Sequence, residues 1–285
     1  MPFLIRGTRH LLDGFPLQRL LPHREHRRVG PFLLLDTFGP HQFQPGEGMQ
    51  VPPHPHIGLA TLTFLFEGEL MHRDSLGSAQ CLSPGALNWI CAGRGIVHSE
   101  RSPSHLAAQS HTMRGLQLWI ALPDALSECE PGFVHVAADK VPCVAMQDAQ
   151  VRVLAGTGWG LQSAVPSTSP LVVTMIDLPA GGSLQLPREY AERALLLIDG
   201  DVDLQHMPLP ESTLVVIDHG NALHLQAHRD ARLLYLGGDA VGPRYLWWNF
   251  VARERERIEQ AKSDWAAGNF GRIAGESEPV ALPER

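Results

Sequence analysis

His54-Pro-His56 and, 42 residues beyond His56, His98-Ser-Glu100 are the residues of this 285-residue chain whose types and spacing carry chemistry. Along an extended strand, residues i and i+2 point to one face, so each pair offers two ligating groups in the same direction from a single strand. A sheet that curves into a barrel brings two such pairs together. Three neutral imidazoles and one carboxylate make a mixed nitrogen and oxygen set suited to a divalent first-row metal. On an octahedral ion, four protein ligands leave two positions open for substrate, water or dioxygen. Two other readings stand beside this one: a structural zinc closed by four protein ligands, and unrelated histidines among the 15 in the sequence.

The residues around the pairs support the same picture. Pro52, Pro53 and Pro55 stiffen the backbone of the first pair. Gly58 and Ala60 are small, and Leu62, Phe64 and Phe66 follow at the same parity. If the alternation runs on from the ligand strand, an apolar hollow lies beside the metal. Gly93-Arg-Gly95 forms a turn before the second pair, with Trp89 packed on the preceding strand. There is no nucleophile elbow, phosphate-binding loop, dinucleotide fingerprint or HExxH helix. His111, His206, His219, His224 and His228 stand in no HxH or HxE pattern, so the second half of the chain is expected to be metal-free.

The elements that must position these residues are strands. Short apolar runs punctuated by 27 Gly and 23 Pro predict an all-β protein. Leu59 to Met71, broken at Glu67-Gly68-Glu69, reads as a hairpin. Further strands are expected at Ala86–Ile90, Arg114–Leu122, Gly132–Val136 and Val151–Leu154. After a small, polar stretch at 155–170 a second series begins: Leu171–Leu178, Ser183–Leu186, Ala194–Ile198, Asp201–Leu204, Thr213–Ile217, Ala222–Leu225 and Arg232–Leu236. Leu65-Phe-Glu-Gly-Glu-Leu70 and Leu197-Ile-Asp-Gly-Asp-Val202 share one pattern, which suggests a duplicated β unit. The expected division is a metal-binding domain over 1–130 and a second domain over 131–285. In the tail, Val251, Ile258, Ala261 and Trp265 recur at helical spacing and predict an amphipathic helix ending near Gly268. Arg253-Glu-Arg-Glu-Arg257 is its solvated face, and Trp247, Trp248 and Trp265 are packing anchors.

A net charge of −7 gives no general attraction to nucleic acid or to an anionic membrane. No apolar run approaches the roughly 18 to 20 residues that span a bilayer, so the expected location is the cytoplasm and the expected partner a small molecule. Cys81, Cys91, Cys129 and Cys143 form no CxxC pair and are expected to be reduced.

The stretch from His54 to Gly77, with Asn88-Trp-Ile-Cys-Ala-Gly-Arg-Gly-Ile-Val-His-Ser-Glu100, closely resembles the pirin family of the cupin superfamily. The similarity extends to Val29-Gly-Pro-Phe-Leu-Leu-Leu-Asp36 and to Trp247-Trp-Asn-Phe-Val251 with Trp265 and Phe270. It implies two stacked antiparallel jelly-roll β-barrels, the first binding metal and the second degenerate, with the C-terminal helix packing back on the first domain. The family's metal ligands match His54, His56, His98 and Glu100, and Fe(II) is the usual expectation, with Mn, Ni, Cu or Zn as alternatives. Ala60 stands where many cupins carry Glu, which leaves the ligand set intact and is expected to widen the pocket or alter pH behaviour. The resemblance implies a monomer with quercetin 2,3-dioxygenase activity on a flavonol-like aromatic substrate. In that reaction Glu100 takes the 3-hydroxyl proton, and the ring opens with dioxygen and releases carbon monoxide. Its alternative is a non-enzymatic, redox-dependent regulatory protein that binds a transcription factor or metabolic enzyme.

Overall fold

The computed structural model describes residues 2–12, 14–146, 148–217, 222–277 and 279–284; His219 lies outside them. The fold is built almost wholly of strands, with a short helix, Arg255–Ala266, near the C-terminus. Two compact units are formed. One comprises Met1–Thr8, Arg19–Leu35 and Asp139–Ala240; the other comprises Arg9–Gln18, Asp36–Ala138 and Val241–Arg285.

The unit built on Asp36–Ala138 carries both ligand pairs. Its smaller sheet has the order Gln50–His56, Ile96–Arg101, Leu70–Asp74, Ala79–Leu82. The larger sheet begins Gly132–Val136, Leu87–Cys91, Leu59–Glu67, His111–Ala121 and continues through Phe32–Phe43, Phe15–Leu21 and Thr8–Leu12. Alternation along each strand turns apolar side chains inward, and Phe15, Leu17, Phe38, Phe43, Val51, Leu65, Leu70 and Met113 close a core between them. A separate cluster gathers Ile57, Phe250, Ile258 and Ala261 with Trp247, Trp248 and Trp265 packed against it. The three tryptophans thus act as packing anchors. The helix, Arg255–Ala266, buries Ile258 and Ala261 and is followed by Gly268 in a left-handed turn. Val251, expected on that helix, belongs instead to the strand Phe250–Ala252.

Leu59–Glu67 and Leu70–Asp74 are both strands, but they do not form the expected hairpin. They lie in different sheets. Gly68 takes φ +83°, and a Cβ there would sit 2.5 Å from the Thr112 carbonyl oxygen. At this left-handed, tightly packed residue the chain leaves the larger sheet and joins the smaller one.

In the other unit a ten-stranded sheet runs along the path Phe3–Arg6, Thr213–Ile217, Glu192–Leu204, Leu223–Gly238, Leu171–Leu178, Gln150–Gly158, Cys143–Ala145. Leu171–Leu178, Ser183–Leu186 and Thr213–Ile217 coincide with the stretches expected from the sequence. Ala194–Ile198 and Asp201–Leu204 are two parts of one strand, Glu192–Leu204, which bulges where a break was expected.

Candidate metal centre

The two ligand strands are antiparallel neighbours, with His98 directly opposite His54 and Ile96 opposite His56. That register and the i, i+2 rule place His54, His56 and His98 on one face of the smaller sheet. One ring nitrogen from each comes within 4.8 Å of the others, and all three residues are buried. Among the described residues this is the group of metal-capable side chains that converges. His56 Nε2 and His98 Nε2 face each other at 3.0 Å. His54 Nδ1 lies 2.9 Å from the Pro52 carbonyl oxygen, and donation to that carbonyl fixes the tautomer that leaves Nε2 as the lone-pair atom.

Burial, followed by repulsion from His54, holds His56 well below the usual imidazole range, against an opposing contribution from the Asn249 backbone. Burial and then His54, His56 and His72 do the same for His98. Neutral imidazoles present lone pairs, which a divalent cation requires of its ligands. Two facing Nε2 atoms are satisfied either by one shared proton or by a cation that takes both lone pairs. The donor set therefore fits a first-row divalent ion.

Glu100 is buried beside this group without joining it. Between His98 and Glu100 the pairing with Gln50–His56 slips by a bulge whose extra residue lies on the partner strand, between Val51 and His54, while Ile96–Arg101 stays in register with Leu70–Asp74. Gln117 Nε2 donates to both carboxylate oxygens at 3.2 Å, and Thr63 Oγ1 donates to one at 3.4 Å. Burial raises the proton affinity of Glu100, opposed by His72, Gln117 and Thr63.

The facing sheet contributes a different set of residues from the one expected. Thr63 pairs with Gln117, and Thr61 with Trp119; Gln117 reaches Glu100, and the Trp119 ring meets His56 edge-on at 5.0 Å between centroids. The inward face of Leu59–Glu67 is therefore the odd-numbered one. Alternation does not carry across the Ile57–Gly58 turn between two strands of different sheets, so Leu62 and Phe64 face away from the histidines. Ala60 shares their face, opposite Ile120 and Cys91. The widening of the pocket expected at Ala60 does not arise. A hollow beside Glu100 is lined by Leu12, Phe15, Leu17, Asp36, Phe38, Met49, Thr63, Leu70 and Gln117, and none of the three histidines lines it. It is a cavity of about 20 Å³, room for one water molecule.

His72 and Asp74 were not singled out in the sequence, although His72-Arg-Asp74 shows the same i, i+2 spacing. They lie opposite Glu100 and His98. His72 Nε2 is 2.9 Å from Asp74 Oδ2, and its ring stacks on Phe133 at 4.3 Å. Burial raises the Asp74 carboxyl, but hydrogen bonds from His72 and Ser78 outweigh it and leave the group lowered.

The outward face of the same two strands is held by the tail. Ser99, between His98 and Glu100, donates to Glu276 at 2.6 Å, and Arg101 donates to the same carboxylate through Nε and Nη2 at 3.1 and 2.9 Å. Val280 N–H donates to the Pro53 carbonyl, and Trp265 Nε1 to the Val280 carbonyl. Both ligand strands are thus braced from behind.

The Pirin family description matches residues 14–120, and that of the Pirin C-terminal cupin domain matches residues 173–271. A pirin-like protein from Caulobacter vibrioides is 43% identical over 262 residues, covering 91% of each chain. A quercetin 2,3-dioxygenase from Acinetobacter baumannii superposes with a TM-score of 0.90 at 34% identity, covering 100% of this chain and 96% of that one. A bacterial pirin from Escherichia coli, in complex with nickel(II), shares the fold with a TM-score of 0.68 at 17% identity, covering 84% of this chain and 100% of that one. Two family matches in order along one chain, on a frame that gathers three histidines, place this protein in the pirin family.

Proposed function

We propose that this chain is a metal-dependent dioxygenase of the quercetin 2,3-dioxygenase type, acting on a flavonol-like substrate. The observation that carries the reading is the convergence of three buried imidazoles beside a carboxylate that borders an apolar cavity. The similarity to the quercetin 2,3-dioxygenase of Acinetobacter baumannii supports it. His54, His56 and His98 would hold the metal, Glu100 would join them as fourth donor by turning its carboxylate from Gln117 and Thr63, and Fe(II) leads Mn, Ni, Cu and Zn as the expected ion. Such an ion supplies Lewis acidity toward an enolic hydroxyl and redox access to dioxygen.

The chain's own residues do the rest. Glu100 borders the cavity and accepts the proton of the substrate 3-hydroxyl, while Gln117 and Thr63 hold its carboxylate in orientation. Phe15, Phe38, Leu17 and Met49 offer apolar contact to an aromatic ring and exclude water. A flavonol is far larger than the cavity as it stands. Its entry requires the side chains that line the cavity to move apart.

The test is oxygen uptake and carbon monoxide release with flavonols, using protein loaded in turn with Fe, Mn, Ni, Cu and Zn. Turnover by at least one form is expected. Glu100→Gln should then lower kcat by about 100-fold or more while retaining bound metal. Absence of turnover with every metal, or equal turnover in Glu100→Gln, would overturn the activity or the assignment of the base. Metal-dependent capture of a protein partner without turnover would support the regulatory reading.

A further inference from the structure

Outside the metal centre, two cysteines from distant parts of the sequence meet. Cys91 ends the strand Leu87–Cys91, and Cys129 lies in the turn before Gly132–Val136. Their sulfurs are 3.6 Å apart, in hydrogen-bonding contact, and both residues are half-buried. The backbone around them is already joined: Gly132 pairs with Cys91, and Arg94 N–H donates to the Cys129 carbonyl at 3.0 Å. Arg94 also pairs with Glu130, and Arg257 with Glu128, so the turn is tied on both sides. A disulfide needs sulfurs about 2.05 Å apart. The sulfurs stand within about 1.6 Å of that separation. The other two thiols are placed differently, Cys81 against Glu69 and Cys143 exposed in the other unit.

We propose that Cys91 and Cys129 form a modification site at which a small hydroperoxide converts two thiols into an intramolecular disulfide. Cys129, as thiolate, attacks the terminal oxygen of the hydroperoxide; the O–O bond breaks, an alcohol or water leaves, and Cys129 becomes a sulfenic acid. Cys91 sulfur then attacks Cys129 sulfur, the S–O bond breaks, and the Cys91 proton departs with the hydroxyl as water. Overall the two thiols lose two hydrogens and the peroxide bond is reduced. Burial and then Cys129 push the Cys91 thiol up to about 12, which disfavours a Cys91 thiolate as the first attacker. The bond would latch the 126–130 turn to the strand that leads, through Gly93-Arg94-Gly95, into the ligand strand Ile96–Arg101.

The test uses the reduced full-length protein, treated with equimolar hydrogen peroxide, alkylated after denaturation and digested for mass spectrometry. Two of the four thiols should be protected. A linked pair of peptides should contain Cys91 and Cys129, two hydrogens lighter than the free peptides and separated by dithiothreitol. A variant with Cys81→Ser and Cys143→Ser should form the same link. In Cys91→Ser a dimedone adduct should accumulate on Cys129. Links to Cys81 or Cys143, links between chains, or over-oxidised single cysteines without the pair would overturn the site. A dimedone adduct on Cys91 in Cys129→Ser, with none on Cys129 in Cys91→Ser, would overturn the order of attack.

Discussion

In the unit built on Asp36–Ala138, the inward face of two strands carries His54, His56 and His98, whereas in the unit built on Asp139–Ala240 the interior is filled by Val151, Val153, Leu195, Leu197, Leu233 and Tyr235. The difference shows how one frame serves two purposes. Buried imidazoles cost folding free energy until a cation or proton satisfies them, while an aliphatic interior gains from every methylene removed from water. The repeated hexapeptide allows the two frames to be compared at one glycine each. Gly68 and Gly200 both take left-handed backbone, at φ +83° and +104°, and both press on a neighbouring strand. At Gly68 the chain changes sheet; at Gly200 it bulges and stays in the same strand.

The comparison breaks most sharply at the ligands. His54→Ala combined with His98→Ala should reduce bound metal from one ion per chain to background by mass spectrometry, while His224→Ala in the aliphatic unit should leave the ion in place. Metal retained in the first variant would place the site elsewhere. A large effect of the opposite kind is expected from Leu233→Ala, which opens a cavity in the filled interior. It should cost about 2 to 5 kcal/mol of stability in denaturant titrations and leave metal stoichiometry unchanged. Loss of metal in that variant would mean that the two interiors are energetically one. The smallest of the three effects is at Glu276. Glu276→Ala should weaken Co(II) binding by about 10-fold, the range for a group that orients a ligand from behind, and shift the Co(II) absorption bands. Unchanged affinity and spectrum would reduce the brace to ordinary surface packing.

The three histidines were legible because strand geometry alone puts i and i+2 on one face, and the register of two neighbouring strands supplies the rest. The filled second unit was legible for a similar reason, since the runs at Leu171–Leu178 and Thr213–Ile217 are apolar except for Thr174, Asp177 and Thr213. Parity across Ile57–Gly58 was not legible, because alternation is a property of one strand and the chain changes sheets there. Glu100 was found as a candidate, but its carboxylate is held by Gln117 and Thr63 of the facing sheet, contacts that the pattern HxE does not encode. Cys91 with Cys129, and Ser99 with Glu276, depend on contacts across 38 and 177 residues, which no local pattern contains.

The brace on the ligand strands also orders events in time. Ser99 and Glu276 are separated by 177 residues, which a ribosome adding roughly 5 to 20 residues per second covers in about 9 to 35 seconds. For that interval the histidines exist as a nascent sheet without its backing. Donors thus come early in synthesis and their backing late, and a metal bound before Glu276 is made would be bound without the brace.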